Sequence, residues 1–444
     1  MKMSELPIRN AASKYAEGSP ARFHMPGHKG FCGELDVTEL PGTDNLHSPH
    51  EAILRSEQLA AVSQWASDAF YIVNGSSAAN LAMLFAVGAG KRILLGRNCH
   101  KSALNAIAFA GQHAVPLFPD DGGVFSAEQI ASALDREPCD AVFITSPTYR
   151  GAVSPIDEIA RVCHERGALL LTDAAHGAHF AYSPQLPPIP KEADMWCVSC
   201  HKTLFAKTQT ALLLLGKSCP LTRGEVQRVL NMFQSTSPSY ELMLSIEHSV
   251  LEPLDWDAHI ERLRGVRDRI EAVPGVKLLG KRGIKEQDFT RLNISHSGMT
   301  GYTLGAELEA RGVFPEMADR ECVTLITTPA DPDEWYDRLI SALAALVPDG
   351  NICDTEAFDI EPLCGECAAT VREAVTGRRE YIPIEEAGGR ISAGAVGCYP
   401  PGVAILFPGE IIKHEAAERL LLERDAGAEL FGLHDGLVPV LTEI

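Results

Sequence analysis

Between residues 51 and 220, short apolar runs alternate with longer segments in which apolar positions recur every three or four residues. The runs at 70–73, 92–95, 114–118, 140–145 and 168–172 have strand length, and the segments at 51–68, 78–88, 101–111, 126–136 and 156–166 have helical period. Strands alternating with helices of this length predict βαβ units and a mostly parallel sheet. Because the strands are apolar throughout, we expect helices to cover both faces of the sheet.

A short polar segment separates two apolar runs near the middle of the chain. Residues 195–198 are apolar, Ser199-Cys200-His201-Lys202 follow, and a second apolar run covers 210–215. This pattern predicts a strand, a polar turn and another strand, with Lys202 near the end of the first. Burial there would disfavour the charged amine and lower its pKa. Such a lysine suits a Schiff base to an aldehyde cofactor, and the alternative is an exposed lysine in a hairpin turn.

The pattern divides the whole chain into four segments. Residues 1–50 are rich in Gly, Pro and His without a visible period, which predicts an irregular arm wrapped on another surface. A large domain is expected at 51–275, where 221–274 are mostly helical with a break at 235–240. Shorter strands and helices at 276–350 predict a connecting α/β subdomain that ends in a turn-rich linker at 347–351. Residues 351–444 are expected to form a smaller α+β domain.

The composition narrows the classes of function. Of the 444 residues, 45% are hydrophobic and 22% are charged, and the net charge of −20 argues against nucleic-acid or anionic-membrane binding. No apolar run has the length of a membrane span or of a signal-peptide core, so we expect a cytoplasmic protein. The twelve cysteines are then expected to be reduced. Cys364-Gly-Glu-Cys367 has zinc-like spacing, but without a second pair it is interpreted as ordinary thiols.

Two of the predicted strands are followed by residues that suit a phosphorylated aromatic ligand. After 70–73 comes Asn-Gly-Ser76-Ser77-Ala78, whose amides and hydroxyls at a helix start could cradle a phosphate. The alternative for these serines is helix capping without a ligand. After 92–95 comes His100, whose imidazole could stack on a flat ring, or could cap a helix or lie on the surface.

The strand at 168–172 is followed by Asp173-Ala-Ala175-His176. An acid at the end of an apolar strand is costly unless it is paired, and a cationic ring nitrogen would pair with it. Ala175 would leave a flat space beside that ring, whereas the alternative for Asp173 is a helix cap. Four strand ends thus supply, in this order along the chain, a phosphate cradle, a stacking imidazole, a ring-nitrogen partner and a Schiff-base lysine. Together these features describe pyridoxal 5′-phosphate (PLP).

Eight motifs along the chain resemble those of the Orn/Lys/Arg decarboxylases, which are bacterial fold-type-I PLP enzymes. They are FHMPGHKG (23–30), NGSSAAN (74–80), RNCHKS (97–102), SPTYRG (146–151), DAAHGAHF (173–180), SCHKTL (199–204), STSPSY (235–240) and YPPGVAILFPGE (399–410). The resemblance implies an aspartate-aminotransferase-like fold in the short form that lacks an N-terminal wing domain. It also implies a homodimer or larger homo-oligomer with active sites at the interface, and a place in polyamine biosynthesis.

The resemblance also implies roles for individual residues. Lys202 would form the internal aldimine, and Asp173 would pair with the pyridine nitrogen. His100 would stack on the ring, and His176 would lie near its phenolic oxygen. The remaining cofactor contacts would come from Ser76, Ser77, the amide of Ala78, Ser199 and His201, with Ser235 and Thr236 contributed in trans. Lys202 or His201 would return a proton to the product.

The implied reaction is decarboxylation of arginine, lysine or ornithine to the amine and CO2. A carboxylate should receive the distal cation of the substrate, and Asp44 and Glu410 are the candidates, with Tyr149 as a further substrate contact. Both acids could equally be solvated surface residues. The chain departs from the family pattern at Met25, Cys200 and Ala404, and none of these positions touches the Schiff-base chemistry.

Two alternatives remain open from the sequence. The same scaffold could support a transaminase or aldolase, and a transaminase should bind the substrate carboxylate with an arginine, for which Arg291 is the candidate. A catalytically silent regulatory homologue is the other alternative, against which the intact Lys202 and Asp173 argue.

Overall fold

The computed structural model describes residues 5–120, 122–280, 286–347, 361–399 and 402–442. Most of the predicted linker, residues 348–351, lies outside these ranges, as do Pro400 and Pro401 of the 399–410 motif. No helix within the described ranges is both long and apolar enough to cross a membrane.

A seven-stranded sheet forms the centre of the large domain. Its order is β1-β7-β6-β5-β4-β2-β3, where strands β2 to β6 run parallel and β7 pairs antiparallel with both β1 and β6. The mostly parallel sheet predicted from the sequence is confirmed. Its strands are β1 (Asp68–Ile72), β2 (Arg92–Gly96), β3 (His113–Leu117), β4 (Ala141–Thr145), β5 (Leu169–Asp173), β6 (Met195–Ser199) and β7 (Ala211–Leu215).

Helices cover both faces of this sheet. They are α2 (Ala52–Ser63), α3 (Gly75–Val87), α4 (Lys101–Ala110), α5 (Ala127–Arg136), α6 (Ile156–Glu165), the single turn α7 (Cys200–Thr203), α8 (Arg223–Phe233), α9 (Tyr240–Leu251) and α10 (Trp256–Glu271). One hydrophobic core lies on each face of the sheet, and successive strand residues point into different cores. Phe143 packs with α3 and α4 on one face, whereas Ile144 packs with α5 and α6 on the other. This two-residue alternation explains why the strands are apolar at every position.

The N-terminal arm is partly helical, contrary to the prediction of an irregular segment. Helix α1 (Pro7–Glu17) buries Ile8 and Ala12 against the large domain, and Glu247 accepts hydrogen bonds from the Ile8 and Arg9 amides at 2.8 and 2.9 Å. Proline at the first helical position favours this start. The sequence analysis missed the four-residue spacing of Ile8 and Ala12 among polar neighbours.

A second sheet follows, with the order β10-β11-β9-β8. Its elements are β8 (Val276–Leu279), β9 (Arg291–His296), α11 (Gly301–Glu309), β10 (Met317–Ala318), β11 (Val323–Ile326) and α12 (Asp333–Ala344). Helix α10 buries Trp256 in the first core and Leu263 in the second. Packing is therefore continuous across the predicted domain boundary at 275.

The C-terminal domain packs against helix α4 and the end of β2. Its elements are α13 (Val371–Thr376), β12 (Arg379–Ile382), β13 (Val396–Tyr399), β14 (Val403–Leu406), α14 (His414–Asp425), β15 (Glu429–Phe431) and β16 (Val438–Leu441). The fully buried Arg97 crosses the boundary, with its guanidinium 3.3 Å from the Phe407 ring centroid and a hydrogen bond to the Ile405 carbonyl at 3.2 Å. His100 forms an isolated bridge with Val403. This domain therefore lies beside the carboxyl ends of the central strands.

Candidate active site

Lys202 lies in the short helix α7, directly after strand β6. The structure therefore replaces the predicted polar turn with one helical turn, between strands that were both predicted. The Lys202 Nζ atom is 3.1 Å from Nε2 of His176. Burial lowers the pKa of Lys202, although the nearby Asp173 acts in the opposite direction. The structure thus gives Lys202 the environment of a nucleophilic amine rather than that of a solvated surface lysine.

Asp173 is the last residue of β5 and is only 3% exposed. Its carboxylate accepts hydrogen bonds from Asn80 Nδ2 at 2.8 Å and from the Ala175 amide at 3.1 Å. The Cys197 thiol lies 3.5 Å away. These contacts fix the orientation of the carboxylate, and none of the described residues gives it a cationic partner in hydrogen-bonding contact, as expected if that partner is a ligand.

A buried chain of hydrogen bonds joins Asp173 to His100. Asn80 Nδ2 also donates to the Ser102 hydroxyl at 3.0 Å, and that hydroxyl is 2.8 Å from His100 Nδ1. His100 caps helix α4 through the same nitrogen, so the capping alternative is also correct. Burial lowers the pKa of His100, while Asp173 raises it and Lys202 lowers it further. The imidazole is thus close to both groups.

The start of helix α3 carries Ser76, Ser77 and Ala78. The N-cap residue, Asn74, makes no side-chain hydrogen bond to the first-turn amides, because its Oδ1 accepts from the Ser235 amide at 3.2 Å. The ligand-free capping alternative therefore does not account for this sequence. Positive partial charge and uncapped amides at the start of a 13-residue helix suit a phosphate.

Ser199 ends strand β6, and His201 lies in helix α7 beside Lys202. The Ser199 side chain is fully buried, and no atom of the described residues satisfies its hydroxyl. His201 places Nδ1 2.9 Å from the Thr210 carbonyl, which orients the ring, and burial lowers its pKa. An unsatisfied buried hydroxyl is costly, so a ligand oxygen would fit here. The residues present therefore fit the phosphate, ring nitrogen and aldehyde of PLP.

His176 lies between Lys202 and Arg291, the first residue of strand β9. Its Nδ1 is 3.2 Å from Arg291 Nη2, and its ring packs against that of Tyr149, with centroids 4.3 Å apart and the planes tilted by 56°. Arg291 is only 1% exposed and lies behind His176. That position does not match the transaminase alternative, in which the arginine would face a substrate carboxylate.

Glu316 is an active-site candidate that the sequence analysis missed. The Tyr149 hydroxyl donates to its Oε1 at 2.6 Å, and its charge acts on both Lys202 and His201. The Glu316 side chain itself is exposed. It precedes the two-residue strand β10, far along the chain from every motif, so no local signal identified it.

Asp44 and Glu410 are not brought to this group of residues by the contacts that the structure shows. The buried Asp44 carboxylate accepts from amides at the start of helix α2, including Glu51 at 2.8 Å and Ile53 at 2.9 Å. Glu410 lies 3.3 Å from Arg97 Nη2 at the boundary with the C-terminal domain. The structure thus places Asp44 as a helix cap and Glu410 in a buried ion pair, rather than as solvated surface acids.

Replacing Asp44 with alanine should therefore reduce stability rather than substrate affinity. We expect a loss of about 1–2 kcal/mol in the free energy of unfolding, as for other lost helix caps. Denaturant titration and KM for the substrate, measured on the same preparations, check this. A large rise in KM with unchanged stability would instead return Asp44 to the substrate site.

The remaining predicted positions lie at the surface or outside the cluster. Ser235 and Thr236 are exposed, in a loop whose Ser235 carbonyl is 2.7 Å from His47 Nε2. Cys364 Sγ accepts from Arg97 Nη2 at 2.7 Å, and Cys367 is exposed. Within the residues that the structure describes, no three His, Cys, Asp or Glu side chains converge as a metal site requires.

The class of fold-type-I PLP-dependent enzymes is defined by three features on this sheet: a half-buried lysine after β6, a buried acid at the end of β5 and an uncapped helix start after β1. Within that class, the chain belongs to the Orn/Lys/Arg decarboxylase family. The family's major domain matches residues 6–272, and its C-terminal domain matches residues 358–433. The resemblance described from the motifs is confirmed.

Similar proteins agree along the full length of the chain. An arginine decarboxylase from Bacillus subtilis (strain 168) is 31% identical over 100% of this chain and 99% of the relative. Another from Halalkalibacterium halodurans is 29% identical over 98% of this chain and 96% of the relative. The solved constitutive lysine decarboxylase of E. coli superposes with a TM-score of 0.82 at 18% identity, covering 99% of this chain and 82% of that structure.

A more distant structure shows how widely the fold is shared. An alanine–glyoxylate aminotransferase from Nostoc sp. superposes with a TM-score of 0.56 at 16% identity, over 77% of this chain and 92% of that structure. Fold likeness alone therefore does not separate decarboxylases from aminotransferases. Family membership does, and the chain is a PLP-dependent decarboxylase of a basic amino acid.

Proposed function

We propose that the chain converts arginine to the corresponding amine and CO2, with PLP joined to Lys202. The observation that carries the cofactor assignment is the chain of hydrogen bonds from Asp173 through Asn80 and Ser102 to His100. Lys202 follows β6, the strand that pairs with β5, which ends at Asp173. Arginine is proposed because full-length relatives from two organisms are named arginine decarboxylases. Lysine and ornithine are the other members of the substrate class.

The cofactor, when bound, supplies an electron sink for the electron pair that remains on the α-carbon when CO2 leaves. Asp173 would keep the ring nitrogen protonated, and Asn80 would hold that carboxylate in place. Ser76, Ser77, the Ala78 amide, Ser199 and His201 would hold the phosphate. His100 would lie against the ring, with its own orientation fixed by Ser102. Lys202 or His201 would return a proton to the carbon that loses CO2.

Glu316 is the carboxylate that we propose for the distal cation of the substrate. It faces the group formed by Lys202, His201 and Tyr149, whereas Asp44 and Glu410 are used elsewhere. The Tyr149 hydroxyl fixes one carboxylate oxygen and leaves the other available. A guanidinium or ammonium group would pair with that oxygen.

Purified protein reconstituted with PLP should release CO2 and the matching amine from arginine. Parallel incubations with arginine, lysine and ornithine, followed by mass spectrometry of the products, test the proposal. Amine formation from lysine or ornithine in preference to arginine would overturn the substrate proposal while leaving the reaction type intact. A keto acid in place of the amine would indicate transamination instead.

Replacing Glu316 with glutamine should raise KM for the preferred basic amino acid by about tenfold to a hundredfold. That range follows from losing one hydrogen-bonded charge contact of about 1.5–3 kcal/mol. The matched control is Glu309→Gln, because Glu309 is exposed near the end of the neighbouring helix α11. An unchanged KM in Glu316→Gln would remove this residue from the substrate site.

The predicted homodimer is retained as part of the proposal. Phe23 and Phe31 in the arm are 96% and 94% exposed, and Met25 is 63% exposed, so this segment presents apolar side chains that a second copy would cover. Sedimentation velocity should give a species of at least twice the chain mass, and a Phe23→Asp/Phe31→Asp variant should weaken it. Cofactor binding by Ser235 and Thr236 in trans, a cytoplasmic location and a place in polyamine biosynthesis stay predictions.

A further inference from the structure

Arg291, the first residue of β9, makes two hydrogen bonds through one guanidinium nitrogen. Its Nη2 atom donates to His176 Nδ1 at 3.2 Å and to the His176 carbonyl at 3.3 Å. On the other side of the same imidazole, Nε2 is 3.1 Å from the Lys202 Nζ. His176 therefore lies between a permanent cation and the amine that is proposed to bind the cofactor.

The protons of this arrangement can be placed by counting donors and acceptors. A guanidinium always donates, so His176 Nδ1 must accept and cannot carry a proton. The neutral imidazole then carries its proton on Nε2, and Nε2–H donates toward Lys202. Nζ can accept this hydrogen bond only with a free electron pair, that is, as an uncharged amine.

The two other protonation states leave donors facing donors. An ammonium at Lys202 would need Nε2 as an acceptor, which would place the imidazole proton on Nδ1 against the guanidinium. An imidazolium at His176 would point a proton at each neighbour. Burial lowers the pKa of His176 well below its usual value, and Lys202 and Arg291 lower it further, which agrees with a neutral ring.

The surrounding residues hold Arg291 in this position. Asp288 Oδ2 is 3.7 Å from Arg291 Nη1 and 3.1 Å from His179 Nε2, all three side chains being fully buried. Gly151 has φ +92°, and a Cβ atom there would lie 2.8 Å from Arg291 Cγ. Glycine at position 151 therefore leaves the space that the arginine side chain occupies.

We infer that Arg291 is a positioning residue that fixes the Nε2–H tautomer of His176, and that this tautomer holds the Lys202 amine uncharged and ready to react. The inference rests on the proposed role of Lys202 in binding the cofactor. Burial, the largest effect, and the charge of Arg291 lower the pKa of Lys202, whereas Asp173, Cys197 and Glu316 raise it. The hydrogen bond that Nε2–H of His176 would donate to Nζ adds to the first group. Arg291, which in a transaminase would bind the substrate carboxylate, is instead proposed to position His176.

The first test measures the tautomer directly and needs no change at Arg291. Full-length protein labelled with 15N-histidine and stripped of cofactor should show the His176 imidazole as a neutral ring protonated on Nε2. The His176→Phe variant identifies the signal by its loss. A ring protonated on Nδ1, or an imidazolium at neutral pH, would overturn the inference.

The second test separates the tautomer from the simple charge of Arg291. Competitive acetylation at neutral pH, read by mass spectrometry against Lys217 as an exposed reference, reports the uncharged fraction of Lys202. Arg291→Met should lower the relative rate about tenfold, which corresponds to one pKa unit. In the His176→Phe background the same substitution should change the rate by less than about twofold, and equal changes in both backgrounds would contradict the inference.

Neither measurement depends on turnover. If the Lys202 assignment itself fails, activity and cofactor absorbance will survive the loss of Lys202 while the tautomer result stands. If only the tautomer inference fails, the cofactor will still require Lys202. Circular dichroism and thermal melting of each variant show whether the fold is retained, and the 15N measurement on the parent protein decides the question if Arg291→Met does not fold.

Discussion

Replacing Lys202 with alanine is expected to abolish turnover and remove the long-wavelength absorbance of the bound cofactor. The Lys202 amine is the nucleophile that we propose for the cofactor aldehyde, and its burial favours the uncharged form. Loss of the amine removes the covalent attachment itself, so we expect at least about a 10³-fold fall in kcat, larger than the loss of any single hydrogen-bond donor. Product analysis and an absorbance spectrum after reconstitution measure both effects.

The matched control is Lys207→Ala. Lys207 lies five positions further along the chain and is exposed, and its amine pairs with Glu241 at 2.6 Å. We expect this variant to keep full activity and the full cofactor spectrum. Retention of both properties by Lys202→Ala would refute the cofactor assignment.

Replacing Asp173 with asparagine is expected to lower turnover by about 10²–10³-fold while much of the cofactor stays bound. The substitution keeps the size of the side chain but removes the charge that would hold the ring nitrogen protonated, and single preorganised electrostatic groups contribute effects of this size. The phosphate contacts at helix α3 and the attachment to Lys202 do not involve Asp173. Single-turnover kinetics and cofactor content, measured on one preparation, separate the two quantities.

Asp140→Asn provides the matched control for this substitution. Asp140 directly precedes strand β4, which pairs with β5. It therefore lies at the amino end of these parallel strands, whereas Asp173 lies at their carboxyl end, and its carboxylate pairs with Lys91 at 2.7 Å. Its loss should leave kcat unchanged. Normal turnover in Asp173→Asn would show that the reaction does not need this carboxylate as an electrostatic partner of the ring.

The sequence predicted the central sheet because its signals are local and repeated. Each strand is a short apolar run, and each covering helix has a period of three to four, so the seven strands were placed to within about two residues. Helix α1 was missed because only Ile8 and Ala12 mark its buried face among polar neighbours. The single turn that carries Lys202 is too short to show any period.

The residues of the candidate site also differ in whether a local sequence signal pointed to them. Asp173 ends a strand, and Lys202 and His100 lie three and four residues beyond strand ends, so the rule that ligands bind at the carboxyl ends of parallel strands pointed to all three. Asn80 is a polar residue on the buried face of helix α3, one turn beyond the serines, which was a signal that the sequence offered and the analysis did not use. Glu316 had no local signal, because only the folding of the second sheet brings it to Tyr149.

Asp44, Glu410 and Arg291 show why residue type alone was insufficient. An acid in a Gly- and Pro-rich arm and an acid after a Pro-Gly turn look alike in sequence, yet one caps helix α2 and the other pairs with Arg97. Arg291 was considered as a carboxylate ligand, and the structure places it behind His176 instead. In each case the partner is supplied by a distant part of the chain or by a helix start that was placed only approximately.

The sequence by itself determined the mostly parallel sheet and the family, because periodicity and motif spacing are properties of neighbouring positions. Only the tertiary structure decided which carboxylate the Tyr149 hydroxyl contacts and which groups lie on either side of the His176 ring. Those properties depend on distances between side chains that lie far apart along the chain. Burial makes these side-chain contacts matter, because electrostatic interactions and hydrogen bonds are stronger where water is removed.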